Sequence, residues 1–281
     1  MNKYILNNGI EMPCFGIGTF MIEPDDAEKS VEYALKNGYR MIDTANAYVN
    51  EKAVGRGIKK SGVSREDIFV STKLWPSVYE DDNAVDKTLE RLGLDYIDLL
   101  FLHQPTSNWK EGYKQLEKAY KEGKIKAIGI SNFEGDYIEE LLNICDVKPQ
   151  VIQVEAHPYY TQDELRKITD KEDIRIMSWY PLGHGDRTLI NEPVFTELAK
   201  KYNKTNPQIV LKWHIQMGFI VIPGTKNKDH ILQNADIFDF DLTKEDMQVI
   251  SRINKNKRYY IRTEEQLKQF KNWSPDFDNQ K

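Results

Sequence analysis

The sequence predicts a (β/α)₈ barrel, an α/β fold in which eight parallel strands alternate with helices. Three observations carry that prediction. Short apolar runs recur along almost the whole chain. Most of them are continuous rather than alternating, as strands covered on both faces are. The segments between them show helical spacing, for example Ala27, Val31, Ala34 and Leu35, or Leu116, Ala119 and Tyr120. The 281 residues suit such a barrel, which typically uses about 250 residues in one unit, so residues 1–281 read as a single domain.

The elements follow in order. Tyr4-Ile5-Leu6, Asn7-Asn8-Gly9 and Ile10-Glu11-Met12 read as a β-hairpin, because Asn-Gly favours a tight turn, and the hairpin is expected to plug the barrel bottom. The strand runs are 15–18, 41–43, 68–73, 97–103, 127–131, 151–155, 174–180 and 219–223. Asp25 and Asp26 after Pro24, and Ser64 with Asp67, look like helix starts; Asn37-Gly38 and Glu122-Gly123 look like stops. Residues 254–281 are polar and patternless, and read as a short C-terminal tail over one barrel end. A doubly wound dinucleotide fold would need a three-glycine phosphate loop. The pairs Gly16/Gly18, Gly55/Gly57 and Gly183/Gly185 carry Met21, Lys60 and Thr188 at the third position, so that fold is rejected.

Composition excludes several classes of function. A net charge of −5 with both signs interspersed offers no basic patch for nucleic acid. No apolar stretch approaches the ~18 residues of a membrane span, and residues 1–9 have no apolar core of a signal peptide. A cytoplasmic protein is expected. Cys14 and Cys145 read as two free thiols, with a single disulfide as the alternative. A core of this size needs no stabilising metal.

Barrel enzymes place their sites at the C-terminal ends of the strands. Three consecutive runs end in Asp43, Lys73 and His103, thirty residues apart each time, and Tyr48 follows Asp43 in the next loop. Each alone has a plain structural explanation: a loop anchor, a satisfied core histidine, a packed ring. Together they are a carboxylate, an amine, an imidazole and a phenol facing one mouth. Hydride added to a carbonyl leaves an alkoxide that needs a proton. Tyr48 would supply it, Lys73 would lower the phenol's pKa, Asp43 would hold Lys73, and a neutral His103 would orient the substrate oxygen.

These segments resemble the aldo-keto reductase family over nearly the whole chain. The resemblance lies in Gly16-Ile-Gly-Thr-Phe20, Met41-Ile-Asp-Thr-Ala45 with Tyr48, Ser71-Thr-Lys-Leu-Trp75, Leu102-His-Gln-Pro105, Gly129-Ile-Ser-Asn-Phe133, Gln153-Val-Glu155 and Ile222-Pro-Gly224. Within that family the chain resembles the bacterial type, the reductases of 2,5-diketogluconate and aldehydes. The resemblance implies NAD(P)H-dependent reduction of small aldehydes or ketones, with Tyr48 as acid, Lys73 and Asp43 behind it, and His103 on the substrate. It also implies an extended nicotinamide cofactor across the mouth: Gly18, Thr19 and Asp43 beside it, Ser131, Asn132 and Gln153 on its carboxamide, Trp179 stacked below, and Pro181, Leu182, Gly183 and Asp186 over the pyrophosphate. Trp179 stands where the family usually has tyrosine. The usual lysine and arginine clamps for a 2′-phosphate are replaced by Gly224 and His230, while Thr225, Lys226 and Lys228 keep the loop basic and Gln233 and Asn234 suit the adenine. NADPH is expected, with NADH as the alternative. Phe20, Trp75 and Gln104 are expected to line the substrate pocket with Tyr48 and His103, and Tyr79, His184 and tail residues are further candidates. A tail that is short for the family implies an open site. A monomer is expected. A cofactor-binding regulatory subunit with little turnover is the competing reading, and a barrel lyase or isomerase with a phosphate site is a third.

Overall fold

The computed structural model describes residues 2–281. Its barrel strands are β3 (Ile17–Gly18), β4 (Met41–Asp43), β5 (Phe69–Leu74), β6 (Leu99–Leu102), β7 (Ile128–Ser131), β8 (Val151–Glu155), β9 (Arg175–Trp179) and β10 (Ile220–Val221), preceded by β1 (Lys3–Ile5) and β2 (Glu11–Pro13). The eight lie parallel in sequence order. The first and last close on each other through bridges at Phe15–Val221 and Gly18–Gly224, with the Val221 N–H donating to the Cys14 carbonyl at 3.0 Å. Closure leaves the sheet no free edge.

Strand parity decides what reaches the mouth. Successive side chains on a strand point to opposite faces, and the register aligns residues of one parity from strand to strand. Met41, Phe69, Leu99, Phe101, Ala127, Val151, Met177, Ile220 and Ile222 meet inside the barrel as one apolar cluster. Their even-numbered neighbours, such as Ile42, Val70, Leu100, Ile128 and Ile152, pack outward against the helices. Continuing inward parity upward from Met41, Phe69, Phe101 and Val151 arrives at Asp43, Lys73, His103 and Gln153.

The antiparallel hairpin pairs Tyr4 with Met12 and closes the barrel bottom, where Leu6 and Met12 join the interior cluster. Its loop is the Asn7-Asn8-Gly9 stretch that the sequence places between the two strands. Leu6 and Ile10 pair across three loop residues, and Gly9 at φ +84° takes the left-handed position that such a loop requires.

Helix Pro24–Lys36 starts and stops where its sequence signals place it, and Lys121 ends the helix before Glu122-Gly123. The Ser64/Asp67 signal fails: Arg65–Asp67 is a single 3₁₀ turn leading directly into β5, and Ser64 makes no capping hydrogen bond. A capping pattern with no amphipathic run behind it has no helix to cap. The run 97–103 is also trimmed, since Ile97 makes only an isolated bridge with Ile125 and β6 ends at Leu102. Residues 254–281 contain a helix, Glu264–Asn272, opened by a Thr263–Gln266 capping box. Both cysteines are free thiols; burial pushes the Cys14 thiol up to about 11. No helix among the described residues is long and apolar enough to cross a membrane.

Gly129 is where the inner packing is tightest. A Cβ there would lie 2.2 Å from Cδ1 of Phe101, the ring one residue below His103 on the inner face. Gly129→Ala should cost about 1–3 kcal/mol through overpacking and lower the melting temperature by several degrees, read by thermal unfolding. A melting temperature within about one degree of the parent's would show that the ring has room to yield.

Candidate active site

The structure brings Asp43, Tyr48, Lys73 and His103 together at the mouth. The Lys73 amine, fully buried, donates to Asp43 Oδ2 at 2.6 Å and to the Thr44 carbonyl at 2.8 Å. Asp43 Oδ1 also accepts from Ser71 Oγ at 2.8 Å and from Gln153 Nε2 at 3.3 Å. Three donors on one carboxylate are what a buried ion pair needs to offset its desolvation. Tyr48 ends a 3₁₀ turn, Asn46–Tyr48, that folds the loop back over the pair, and its ring centroid lies 5.1 Å from Lys73 Nζ. The His103 ring stands edge-on to Tyr48 at 5.8 Å and to Trp75 at 5.0 Å between centroids. Its Nδ1 is buried without a partner among the described residues.

Protonation states follow from burial. Burial, with the Lys73 charge adding, holds the His103 imidazole well below its usual range, so the ring is neutral. Burial also pulls the Lys73 amine below its usual value, and Asp43 opposes the drop. Tyr48 departs from the sequence expectation. Burial, with the negative charge of Asp43 adding, pushes its phenol well above the ordinary value of about 10 rather than below it. Lys73 spends its field on the carboxylate 2.6 Å away, which leaves desolvation to dominate at the phenol.

A cavity of about 870 Å³ opens above this cluster. Gly18, Asp43, Ser131, Asn132, Gln153 and Trp179 line its floor and one wall, and Pro181, Leu182 and Gly224 continue that wall outward. Asn132, left-handed at φ +65°, ties three strand ends together: its amide nitrogen donates to the His103 carbonyl and to Ser131 Oγ, both at 3.2 Å, and its oxygen accepts from Trp179 Nε1 at 3.1 Å. Asparagine tolerates that backbone conformation better than most residues. Its side chain is thus occupied in setting Ser131 and the indole. The donor set suits a nicotinamide: Gln153 gives its Nε2 to Asp43 and Met177, and its carbonyl oxygen has no partner among the described residues. Serine hydroxyl, amide oxygen and a flat indole match a carboxamide on an aromatic ring.

Other expected cofactor residues lie outside the cavity wall. Thr19 is fully buried, its hydroxyl donating to the Asp43 carbonyl. Gly183 is packed against Leu189 and Tyr259 at φ +62°, and Asp186 caps a short helix through the Thr188 N–H while accepting from Tyr259 Oη at 2.6 Å. Thr225, His230, Gln233 and Asn234 sit beyond Gly224 on the loop and on helix Lys228–Ala235. There Lys226 is paired with Asp26 at 2.8 Å and Lys228 lies over the Tyr33 ring.

Phe20, Trp75 and Gln104 line the cavity as well, and His184 lines it stacked on Tyr180, next to Trp179. Tyr79 does not: it is fully buried, and its hydroxyl donates to the Gln104 carbonyl at 2.9 Å and accepts the Gln104 N–H at 3.0 Å, fixing the backbone after His103. The expectation of an irregular tail over an open mouth also fails. Tyr260, Gln269, Phe270 and Trp273 all line the cavity, and Trp75 Nε1 donates to the Phe270 carbonyl at 2.9 Å. The sequence held two overlooked signals for this wall: the Thr263-x-x-Gln266 capping box, and Phe270, Trp273 and Phe277 at helical spacing. Met21, also lining, carried no signal beyond hydrophobicity. Among the described residues, no group of three or more His, Cys, Asp or Glu side chains could hold a metal ion.

Glu155, at the end of β8, fastens the tail over the mouth. Its buried carboxylate accepts the backbone N–H of Tyr259 at 2.5 Å and of Tyr260 at 3.1 Å, and contacts His157 Nε2 at 3.0 Å. Glu155→Gln replaces one acceptor oxygen with a donor, leaving one tail N–H unmatched. Amide hydrogen exchange over residues 255–262 should accelerate about tenfold or more, given ~1.5–3 kcal/mol for a charged hydrogen bond. Unchanged exchange there would mean that other contacts hold the tail.

Comparison with known proteins agrees with this geometry. The family model described as the aldo/keto reductase family matches residues 14–255. A glyoxal reductase of Bacillus subtilis (strain 168) is 47% identical over 258 residues, covering 90% of this chain and 93% of that protein. A 9,11-endoperoxide prostaglandin H2 reductase of Trypanosoma cruzi is 42% identical, covering 92% and 93%. Among solved structures, an aldo-keto reductase from a deep-sea metagenome library of the Medee basin superposes with a TM-score of 0.89 at 41% identity, covering 92% of this chain and 97% of that one. The Bombyx mori aldo-keto reductase in complex with NADP gives a TM-score of 0.86 at 34% identity, covering 92% and 94%. A strand-end tetrad in a closed parallel barrel and a family match spanning most of its length lead to one conclusion: this chain belongs to the aldo/keto reductase family.

Proposed function

We propose that this protein reduces small aldehydes or ketones to alcohols, with Tyr48 as proton donor and NADPH as the preferred cofactor. The observation that carries the reading is the buried Lys73–Asp43 pair directly behind the Tyr48 ring at the cavity floor. The bound cofactor would supply hydride to the carbonyl carbon. The chain's own residues do the rest. The neutral His103 ring and the Tyr48 hydroxyl converge on the position of the carbonyl oxygen. As charge builds on that oxygen, the Tyr48 O–H bond breaks and its proton passes to the oxygen, giving the alcohol. A phenol held well above its ordinary pKa keeps that proton across the neutral range until the alkoxide, a stronger base, takes it. The phenolate left behind faces the Lys73 ammonium and regains a proton from solvent. Trp75, Phe20 and the tail residues narrow the water-accessible opening, which strengthens these interactions.

Ser131, Gln153 and Trp179 would hold the nicotinamide, and Gly224, Thr225, His230, Gln233 and Asn234 would flank the adenosine end. The basic residues Lys226 and Lys228 near that end favour NADPH, and a family structure holds NADP. The chain is read as one barrel domain, acting as a monomer. The free thiols Cys14 and Cys145 fit the reducing cytoplasm. The name of the Bacillus relative puts small dicarbonyls first among substrates to try.

Steady-state oxidation of NADPH and NADH with a panel of aldehydes tests the activity directly. Tyr48→Phe should lower turnover by about 10²–10⁴-fold, the span of acid catalysis, while cofactor affinity stays near that of the parent. Near-normal turnover in Tyr48→Phe would assign the acid elsewhere. Dissociation constants measured by fluorescence titration should favour NADPH, and a tenfold preference for NADH would reverse the cofactor assignment.

A further inference from the structure

One buried polar group in the cavity wall has no part in the proposed reaction. Gln104 is only 6% exposed, yet its side-chain amide makes no hydrogen bond, and its Oε1 is buried without a partner among the described residues. An unmatched buried amide costs about 1–3 kcal/mol, so its retention calls for a ligand. Its placement is rigid. Tyr79, fully buried, grips both the N–H and the carbonyl of Gln104, and the adjoining His103 N–H donates to the Leu74 carbonyl at 3.0 Å. The backbone that carries the amide is therefore fixed next to the residue that faces the carbonyl oxygen.

We propose that Gln104 is a specificity-determining residue that selects carbonyl substrates bearing a second, uncharged oxygen on the carbon adjacent to the reacting carbonyl, as in 2-hydroxyaldehydes and 1,2-dicarbonyls. The inference rests on the reductase reading above and deepens it. An amide both donates and accepts, so it pairs with a hydroxyl or a second carbonyl, and either orientation of the amide serves. Aromatic rings make up much of the rest of this wall, with Phe20, Trp75, Phe270 and Trp273; the Trp75 indole N–H is taken by the Phe270 carbonyl, and the other polar groups here, Trp273 Nε1, the Tyr260 hydroxyl and the Gln269 amide, are carried by the tail rather than by the residue next to His103. Among the described residues no lysine or arginine lines the cavity, so a carboxylate or phosphate on that carbon would find no counter-charge there. A site with a buried hydrogen-bonding group discriminates against analogues that leave it unpaired.

The test uses substrate pairs of the same shape that differ only in the second oxygen. These are lactaldehyde against 2-methylpropanal and glycolaldehyde against propanal. For each protein, the ratio of kcat/KM within a pair is formed, so that intrinsic aldehyde reactivity cancels between the parent and its variants. Gln104→Met fills nearly the same volume without the amide. Its ratio should fall about tenfold from the parent's in both pairs, as expected for the loss of one hydrogen bond worth about 1.4 kcal/mol. Gln104→Leu should show the same fall. The ratio does not depend on the fraction of folded enzyme, so partial unfolding of either variant leaves it readable. Ratios within about twofold of the parent's in both variants would overturn the role of Gln104 while leaving the reductase reading intact. Absence of turnover by the parent with all four aldehydes and both cofactors would overturn the reductase reading, and this inference with it.

Discussion

The site depends on one buried ion pair. Lys73 and Asp43 meet at 2.6 Å with almost no exposed surface, on neighbouring strands β4 and β5. Either charge alone would be costly at that depth, and their attraction repays desolvation only because further hydrogen bonds saturate them. Ser71, Thr44 and Gln153 provide those bonds, so the pair joins β4 and β5 to β8 across the barrel interior. The same arrangement accounts for the Tyr48 phenol. With the Lys73 field directed at Asp43, desolvation keeps the hydroxyl protonated.

Around this pair the barrel works as a scaffold of strand ends. Inward-facing side chains fill the lower barrel with apolar packing, and the same parity carries polar groups to the rim, at the base of the cavity. Asn132 connects the ends of β7 and β9 with the residue that follows β6, so the indole of Trp179 and the carbonyl of His103 are positioned through one side chain. Tyr79 does the same for Gln104 from outside the cavity. These second contacts are what hold the rim residues within the tight tolerances that chemistry requires.

The far wall comes from the end of the chain. Glu155 holds the tail backbone at Tyr259 and Tyr260, Arg262 donates to the Asn132 carbonyl at 2.8 Å, and the helix that follows brings Phe270 and Trp273 against Trp75. Further on, Asp278 pairs with Arg91, which is itself paired with the buried Glu51. The cavity is thus closed on one side by residues more than 150 positions away in sequence from Trp75, His103 and Gln104. Tyr259 also reaches Asp186, so the substrate-side tail and the loop after Trp179 are joined by a direct hydrogen bond.

Much of this was determined by the sequence alone. Continuous apolar runs specify buried parallel strands, and residues at their C-terminal ends must face one mouth, so Asp43, Lys73 and His103 could be grouped before any coordinate was known. The 3₁₀ turn at Ser64 and the ends of β6 were not legible, because single turns are decided by neighbouring contacts rather than by local propensity. The tertiary structure decided the rest. It set the sign of the Tyr48 shift, which depends on burial and on where Lys73 directs its charge. It placed Tyr79 behind the wall instead of in it, and folded a polar tail into the substrate pocket. Each of these rests on contacts between residues far apart in the chain, and a distance through space leaves no mark on local sequence pattern.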